Sequence, residues 1–326
     1  MLKSGETEIP ISSYNNLRVK IFLIGYKNQG ESIVILFIDV KQNEVKYSIV
    51  IDSYKTKEKN ITDEILRRYS VRCLSLLCWT HPDIDHSLGM DFLIKKYCRD
   101  TTKVLLPDYF YNESSDIVSI NDKDLKNAVD KIFCLNRLKK RHVTTINVPA
   151  NNFIQVDNMK FVGIDGFSHI SINAVTPISS ILAQYVKSCK HNVEKNELSI
   201  SMIIDIDDYY IYLGGDAVNR HIDSINSGYL EQCRFIKIPH HASNTSKNLL
   251  SYLSDNVDTA CTTIFGPKDL PRDEILLEYS SLCKVFSTGA KNSKQYDFGV
   301  VEYEYDFSKE NIDMQVRLFG NAMEIL

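Results

Sequence analysis

The 326-residue sequence has no close Cys-x-x-Cys pair, no apolar stretch near the roughly 18 residues needed to cross a bilayer, and no excess of positive charge. Each absence excludes something. The eight cysteines (73, 78, 98, 134, 189, 233, 261, 283) are scattered, several inside apolar runs such as LSLLCW and TACTTIF. They read as reduced, buried thiols rather than a disulfide framework. The opening MLKSGETEIPISS lacks the apolar segment of a secretory signal, so the expectation is a soluble, cytoplasmic protein with no membrane partner. A formal net charge of −4 and a pI near 6.1 provide no global basic surface, so any polyanion would need a local patch. Repeats, low-complexity tracts and clear linkers are missing as well. With 44% hydrophobic residues, the chain can bury a sizeable core.

Strand signals dominate what is present. VKIFLIG from Val19, SIVILFIDV from Ser32 and YSIVID from Tyr47 are rich in β-branched residues and separated by turn-forming segments. Helical spacing follows at 61–71, with Thr62 as a candidate N-cap, and again from Ser87 to Tyr97. CLSLLCW (73–79) is the apolar run expected of a strand buried on both faces. Further strands are predicted at 198–205, 209–215, 234–239 and 259–265, a helix near 246–254, and a closing hairpin from VVEYEYDF and DMQVRLFG. Residues 1–16 read as a polar lead-in, 17–326 as one domain, and about 108–195 as a variable helical insertion with helices near 121–133 and 177–190. Strand-rich halves with helices in one chain predict an α/β (α+β) sandwich, two mixed sheets face to face with helices outside.

Three strand ends carry candidate chemistry. Thr80-His81-Pro82-Asp83-Ile84-Asp85-His86 follows the buried run and precedes a helix, placing four potential metal ligands in six residues at a strand's carboxyl end. Burying two carboxylates and two imidazoles together is costly unless cations compensate. Gly214-Gly215-Asp216 ends YYIYLGG, and Lys237-Ile238-Pro239-His240-His241 ends RFIKIP. Alone, the second reads as a turn residue or cap, and a histidine pair is structural about as often as it is functional. The three in order are far more specific.

That order, His-x-Asp-x-Asp-His, then Gly-Asp, then Pro-His-His, resembles the metallo-β-lactamase superfamily, and in particular the ComEC-type hydrolase domain and its free-standing relatives. Asn28-Gln29-Gly30-Glu31-Ser32 is similar to that branch's Gly-Gln-Gly-Asp stretch, with Glu31 in place of Asp. Ile51-Asp52-Ser53 lies where Asp-Gly is usual, Asn196 and Ser199 resemble its Asn-x-x-Ser, and HHASNTS resembles its His-His-Gly-Ser…Thr-Ser with Ala242 for glycine. The chain departs from the superfamily's usual His-x-His-x-Asp-His at Asp83, and none of His142, His169 and His191 is a convincing mid-chain ligand.

The resemblance implies a hydrolase with two divalent ions, Zn²⁺ or Mn²⁺. It assigns His81 and Asp83 to a first ion, Asp85 and His86 to a second, and Asp216 as a bridge. One of His240 and His241 completes the second site, with His240 placed in the ligand set. Asp85 would also orient a metal-activated hydroxide, and the histidine not used as a ligand would serve as a proton donor. Lys237, Ser243, Thr245, Ser246 and Asn196 are the substrate-binding candidates. The implied activity is that of a phosphodiesterase or nuclease acting on nucleic acid or a nucleotide. Arg137, Lys139, Lys140, Arg141 and His142 offer a local phosphate patch, and Tyr109, Tyr111, Tyr209, Tyr210 and Tyr212 offer stacking rings. The alternatives are hydrolysis of another ester, such as a lactone or thioester, and a non-catalytic module with a degraded metal site.

Overall fold

Alternation decides how each strand is used. In Leu17–Tyr26, the side chains of Leu17, Val19, Ile21 and Leu23 enter one core while Phe22, Ile24 and Tyr26 enter another, so this strand is buried on both faces. A computed structural model describes residues 5–27, 29–108, 142–187, 194–264, 270–290, 296–308 and 312–325. Its strands are β1 Thr7–Pro10, β2 Leu17–Tyr26, β3 Gly30–Asp39, β4 Glu44–Ile51, β5 Leu76–Cys78 and β6 Lys103–Pro107. There follow β7 His142–Ile146, β8 Ile154–Gly163, β9 Gly166–Ala174, β10 Met202–Ile206, β11 Tyr209–Leu213 and β12 Cys233–Lys237. The chain closes with β13 Thr259–Thr262, β14 Lys284–Ser287, β15 Phe298–Asp306, β16 Asp313–Gly320 and β17 Met323–Ile325.

Among the described residues these form two mixed sheets, ordered β1-β8-β9-β10-β11-β12-β13-β14-β17 and β16-β15-β2-β3-β4-β5-β6-β7. The core between them includes Phe37, Ile35 and Leu105 from one sheet and Phe161, Ile204 and Phe235 from the other, with Phe37 and Phe161 stacked at 5.5 Å between centroids. Helices α1 (Ile61–Arg68) and α3 (Met90–Tyr97) cover the outside of the eight-stranded sheet through Leu66, Leu93 and Ile94; the short turn Ile84–Ser87, α2, lies between them. The helix Asp273–Ser280 covers the other sheet through Ile275, Leu276 and Tyr279. No described helix is long and apolar enough to cross a membrane. The predicted fold class, two mixed sheets packed face to face with helices outside, is the observed one.

Several local expectations are corrected. The lead-in is not wholly irregular, because β1 pairs in parallel with β8. The stretch read as a helical insertion contributes β7, β8 and β9, and only Ser179–Lys187 is helical among its described residues. Polar side chains such as Asp157, Lys160, His169 and Ser171 alternate with the apolar ones along β8 and β9, which lowered the strand signal there. The cap of α1 is Asn60, whose Oδ1 accepts from Asp63 N at 3.0 Å, rather than Thr62. Residues 195–198 form a 3₁₀ turn before β10 begins at Met202, and the segment Asn244–Tyr252 is 3₁₀ rather than α. The expected helix near 121–133, the basic residues 137–141, Tyr109, Tyr111 and His191 lie outside the described residues.

Candidate metal centre

The parallel strands β4, β5 and β6 in one sheet and β11, β12 and β13 in the other set the site. Asp52 follows β4, Thr80 to His86 follow β5, Asp216 follows β11, His240 and His241 follow β12, and Thr263 follows β13. Glu31 is at the start of β3, which runs antiparallel to β4 and so begins where β4 ends. The backbone is bent to deliver these groups. Gly215 has φ +51°, and a Cβ there would meet Ser199 Oγ at 2.6 Å and the Ile200 carbonyl at 2.9 Å. His240, His241 and Ala242 are consecutive left-handed residues (φ 48°, 50° and 55°), a costly conformation that persists where surroundings over-determine it and that clusters at functional sites.

Hydrogen bonds fix the imidazole orientations. The Asp52 carboxylate accepts from Thr80 N at 2.7 Å and from the Thr80 hydroxyl at 2.6 Å, so that hydroxyl can only accept from His81 Nδ1, 2.9 Å away. Asp52 Oδ2 also accepts from His86 Nδ1 at 2.7 Å. On the far side, the Thr263 hydroxyl donates to Glu31 and therefore accepts from His241 Nδ1 at 2.7 Å. All three rings thus commit Nδ1–H outward and aim Nε2 inward. That is the usual arrangement of metal-ligating histidines, whose second nitrogen is held by a carboxylate or its relay.

The inward side is rich in acceptors and poor in donors. His86 Nε2 lies 3.5 Å from Asp85 Oδ2 and 3.5 Å from Asp216 Oδ1. His241 Nε2 lies 3.3 Å from Asp85 Oδ2 and 3.8 Å from Asp216 Oδ2. His81 Nε2 is 3.9 Å from Asp216 Oδ2. His81 Nε2, His86 Nε2 and Asp216 Oδ1 are buried without any hydrogen-bond partner, a state protein interiors rarely tolerate. Four buried carboxylates, Glu31, Asp52, Asp85 and Asp216, face one buried ammonium, Lys237, leaving an excess of negative charge. Burial works against charge on His86, but Asp85, Asp216 and Asp52 outweigh it and hold its pKa well above the ordinary value. Burial and the neighbouring His86 lower that of His81, leaving a neutral nitrogen lone pair. Burial would raise the carboxyl of Asp216, yet His86, His241 and His240 hold it well below the carboxylate range.

This donor set fits a divalent cation. Tetrahedral zinc at 2.0–2.2 Å from N and O ligands spaces its donors by roughly 3.3–3.6 Å, and the Nε2 atoms of His86 and His241 each lie 3.3–3.8 Å from an oxygen of Asp85 and from an oxygen of Asp216. His81, His86 and Asp216 also gather with their ligand atoms within 4.8 Å of one another. Glu31 approaches His86 and His241 as well, but near their committed Nδ1 atoms, at 3.9 and 3.5 Å.

The structure therefore brings together His81, Asp85, His86, Asp216 and His241, with His240 at their edge, its Nε2 3.9 Å from Asp216 Oδ2. Asp83 stays close enough to His81 for each to bear on the other's charge, but its carboxylate is engaged elsewhere. It caps the turn Ile84–Ser87 through Ile84 N, and its Oδ1 is 2.9 Å from Lys195 Nζ. His240 stands at the rim, with Nδ1 on the Thr245 hydroxyl at 2.6 Å and Nε2 3.0 Å from Asn196 Nδ2. That contact places Asn196 beside the centre. Lys237 is fully buried, donating to Glu31 at 2.7 Å and to the Gly215 carbonyl at 3.1 Å, so it supports the site from behind rather than facing a substrate. Ser246 is likewise structural, bonding the Pro239 carbonyl, and Ser243 caps the following turn through Thr245 N. His169 pairs with Glu6 at 2.8 Å on the surface, away from these ligands. Glu31, Asp52, Thr80, Thr263 and Lys195 were not assigned roles from the sequence, although Glu31 and Asp52 fall in stretches that carry the resemblance; Thr80 and Thr263 showed only as polar residues just past a strand.

No family model matches the chain, and no curated protein matches it.

Proposed function

We propose that the chain is a cytoplasmic metal-dependent hydrolase that cleaves phosphodiesters of nucleic acid or nucleotides. The observation that carries this reading is the convergence of three inward imidazole nitrogens with the carboxylates of Asp85 and Asp216 at the ends of strands from both sheets. His86, His241, Asp85 and Asp216 would contribute to holding one cation; His81, with Asp216 shared, would begin the set for another. Zinc and manganese both suit a donor set of imidazole and carboxylate without thiolate. Cations bound there would supply Lewis-acid stabilisation of a phosphoryl oxygen and would lower the pKa of water.

The chain's own groups do the rest. Asp52 and Glu31, through Thr80 and Thr263, keep the rings aimed. Asp85 orients the attacking water. His240, with Nδ1 on the Thr245 hydroxyl and Nε2 accepting from Asn196 at the rim, would first take up a proton at Nε2, turning from Asn196, and then pass it to the leaving oxygen. Lys195, beside Asp83 at the edge, offers charge to a phosphate. The absence of any disulfide among the described cysteines agrees with a reducing compartment.

The test is metal analysis of the purified protein with an assay of bis(p-nitrophenyl) phosphate and single-stranded DNA. Bound zinc or manganese, with turnover lost in His81→Ala and Asp216→Asn, is the expected result. Full turnover in either variant would eliminate the proposal.

A further inference from the structure

The nine-stranded sheet is covered unevenly on its outer face. Around β11 to β14, the outward side chains pack under the helix Asp273–Ser280 and the segment Asn244–Tyr252. Across β9 and β10, the outward positions carry Ser171, Asn173 and Asp205 beside the buried Ile203, so polar residues border the apolar covered half. At the boundary lies a cavity of about 250 Å³, floored by these three polar residues and walled by Phe153, Tyr210 and Tyr229. Phe153 and Tyr229 meet edge to face at 5.6 Å, so the wall is a built aromatic corner.

One acceptor lining this cavity and a second buried in its floor lack what they need. The Asn173 amide nitrogen donates to Ser171 Oγ at 3.0 Å, while Asn173 Oδ1 is buried with no hydrogen-bond partner. Asp205 is half-buried; Asp208 N donates to its Oδ1 at 2.9 Å, and no cation among the described residues pairs with it. Burial and the neighbouring carboxylates of Asp208 and Asp207 raise its pKa, as expected for a carboxylate without a counter-ion. Other partly buried acids are matched by cations, Asp63 by Lys96 and Arg67, Asp157 by Lys103 and Glu302 by Lys20, while Asp39 is held instead by three hydrogen bonds from Ser12 and Gln42.

We propose that this cavity binds a guanidinium group on a short aliphatic stem. A guanidinium presents a planar fork of donors that satisfies a carboxylate bidentately, keeps further N–H groups for an amide oxygen, and lies well against aromatic rings. An alkylammonium has three donors, no plane and stronger hydration. A neutral amide would leave Asp205 uncompensated. The volume is below the roughly 300–1,000 Å³ typical of drug-sized ligands, which suits a group of side-chain size. The chemistry is shared by a free small guanidine and an arginine side chain. The site is separate from the metal centre, and the inference does not depend on the hydrolase reading.

Titration of the full-length protein with N-butylguanidine, by calorimetry and by backbone amide shifts, tests this. N-butylurea serves as the neutral isostere, and an acetylated Gly-Arg-Gly amide as the arginine source. One-site binding is expected, at least about tenfold weaker for N-butylurea and for Asp205→Asn, as for loss of a charge-assisted hydrogen bond. Asn173→Leu should weaken binding, which guards against misfolding of a single variant, whereas Glu274→Gln, exposed on the helix Asp273–Ser280, should bind as wild type does. Tighter binding of the peptide than of N-butylguanidine assigns the group to a partner's arginine; the reverse assigns it to a small molecule. Equal binding of N-butylurea, undiminished affinity in Asp205→Asn, or no response to either cation up to about 20 mM overturns the proposal.

Discussion

Lys237 offers the most direct test of how the centre is supported. Replacing it with methionine removes a charge 2.7 Å from Glu31 Oε1 while nearly preserving volume. Both side chains are essentially inaccessible, 0% for Lys237 and 2% for Glu31. At an effective dielectric near 20, charges 2.7 Å apart attract by roughly 6 kcal/mol, much of which offsets the cost of taking both out of water. Breaking such a pair from one side strands the other charge and typically costs about 3–5 kcal/mol. Glu31 keeps the Thr263 hydroxyl and stays near His241 and His86, so the lower end, about 3 kcal/mol, is expected.

The double variant Glu31→Gln/Lys237→Met removes both charges and should recover more than half of that loss. Urea denaturation in chelator-treated buffer, followed by circular dichroism, measures all three free energies with the metal contribution removed. If Lys237→Met unfolds within about 0.5 kcal/mol of wild type while phosphodiester binding weakens, Lys237 faces substrate and the buried-pair argument is wrong.

Adding Mn²⁺ or Zn²⁺ at about 100 times its Kd should stabilise the native protein by about 2.7 kcal/mol, read as a higher melting temperature. Asp216→Asn should abolish that shift and Asp83→Asn, whose carboxylate is turned to Lys195, should retain most of it. Asp63 supplies the pH test: despite partial burial, Lys96, Tyr97 and Arg67 lower its pKa. Its contribution is therefore present above the ordinary carboxylate pKa of about 3.9 and is lost as pH falls through the lower, folded value. Asp63→Asn should cost about 1–2 kcal/mol at pH 7, and its gap to wild type should narrow in urea titrations run towards about pH 3. Phe161→Ala, in the core between the sheets, should cost about 3–5 kcal/mol in the same assay, since the stacked Phe37 cannot fill the space alone. Trp79, the one tryptophan, is buried directly before the ligand loop with Nε1 on Ser87 Oγ at 3.0 Å, so Mn²⁺ should quench its fluorescence in wild type and not in Asp216→Asn.

The sequence by itself determined the elements whose pattern is local. β2, β3 and β4 are long β-branched runs, α1 and α3 have helical spacing, and the apolar run ending at Trp79 had to be a buried strand with its polar residues in the turn beyond. The ligand types at 81–86, 216 and 240–241 were legible for a local reason too: carboxylates and imidazoles crowded at the end of an apolar strand are costly to bury unless a cation compensates them. Tertiary structure decided the rest. β8 and β9 carry a mixed pattern because one face lies in the core and the other is the polar outer surface, which no window of residues reveals. Whether Asp83 turns to His81 or to Lys195, 112 positions away, depends on how two distant turns meet. Lys237 reads as a strand lysine until the fold places it against Glu31 from the opposite sheet. Asp52 and Glu31, each a polar residue bordering a strand, acquire their roles because the end of β4 and the start of β3 are neighbours in the sheet. Spacing along the chain sets which chemistry is possible; the direction of each nitrogen and oxygen comes from hydrogen bonds between segments that sequence proximity does not connect.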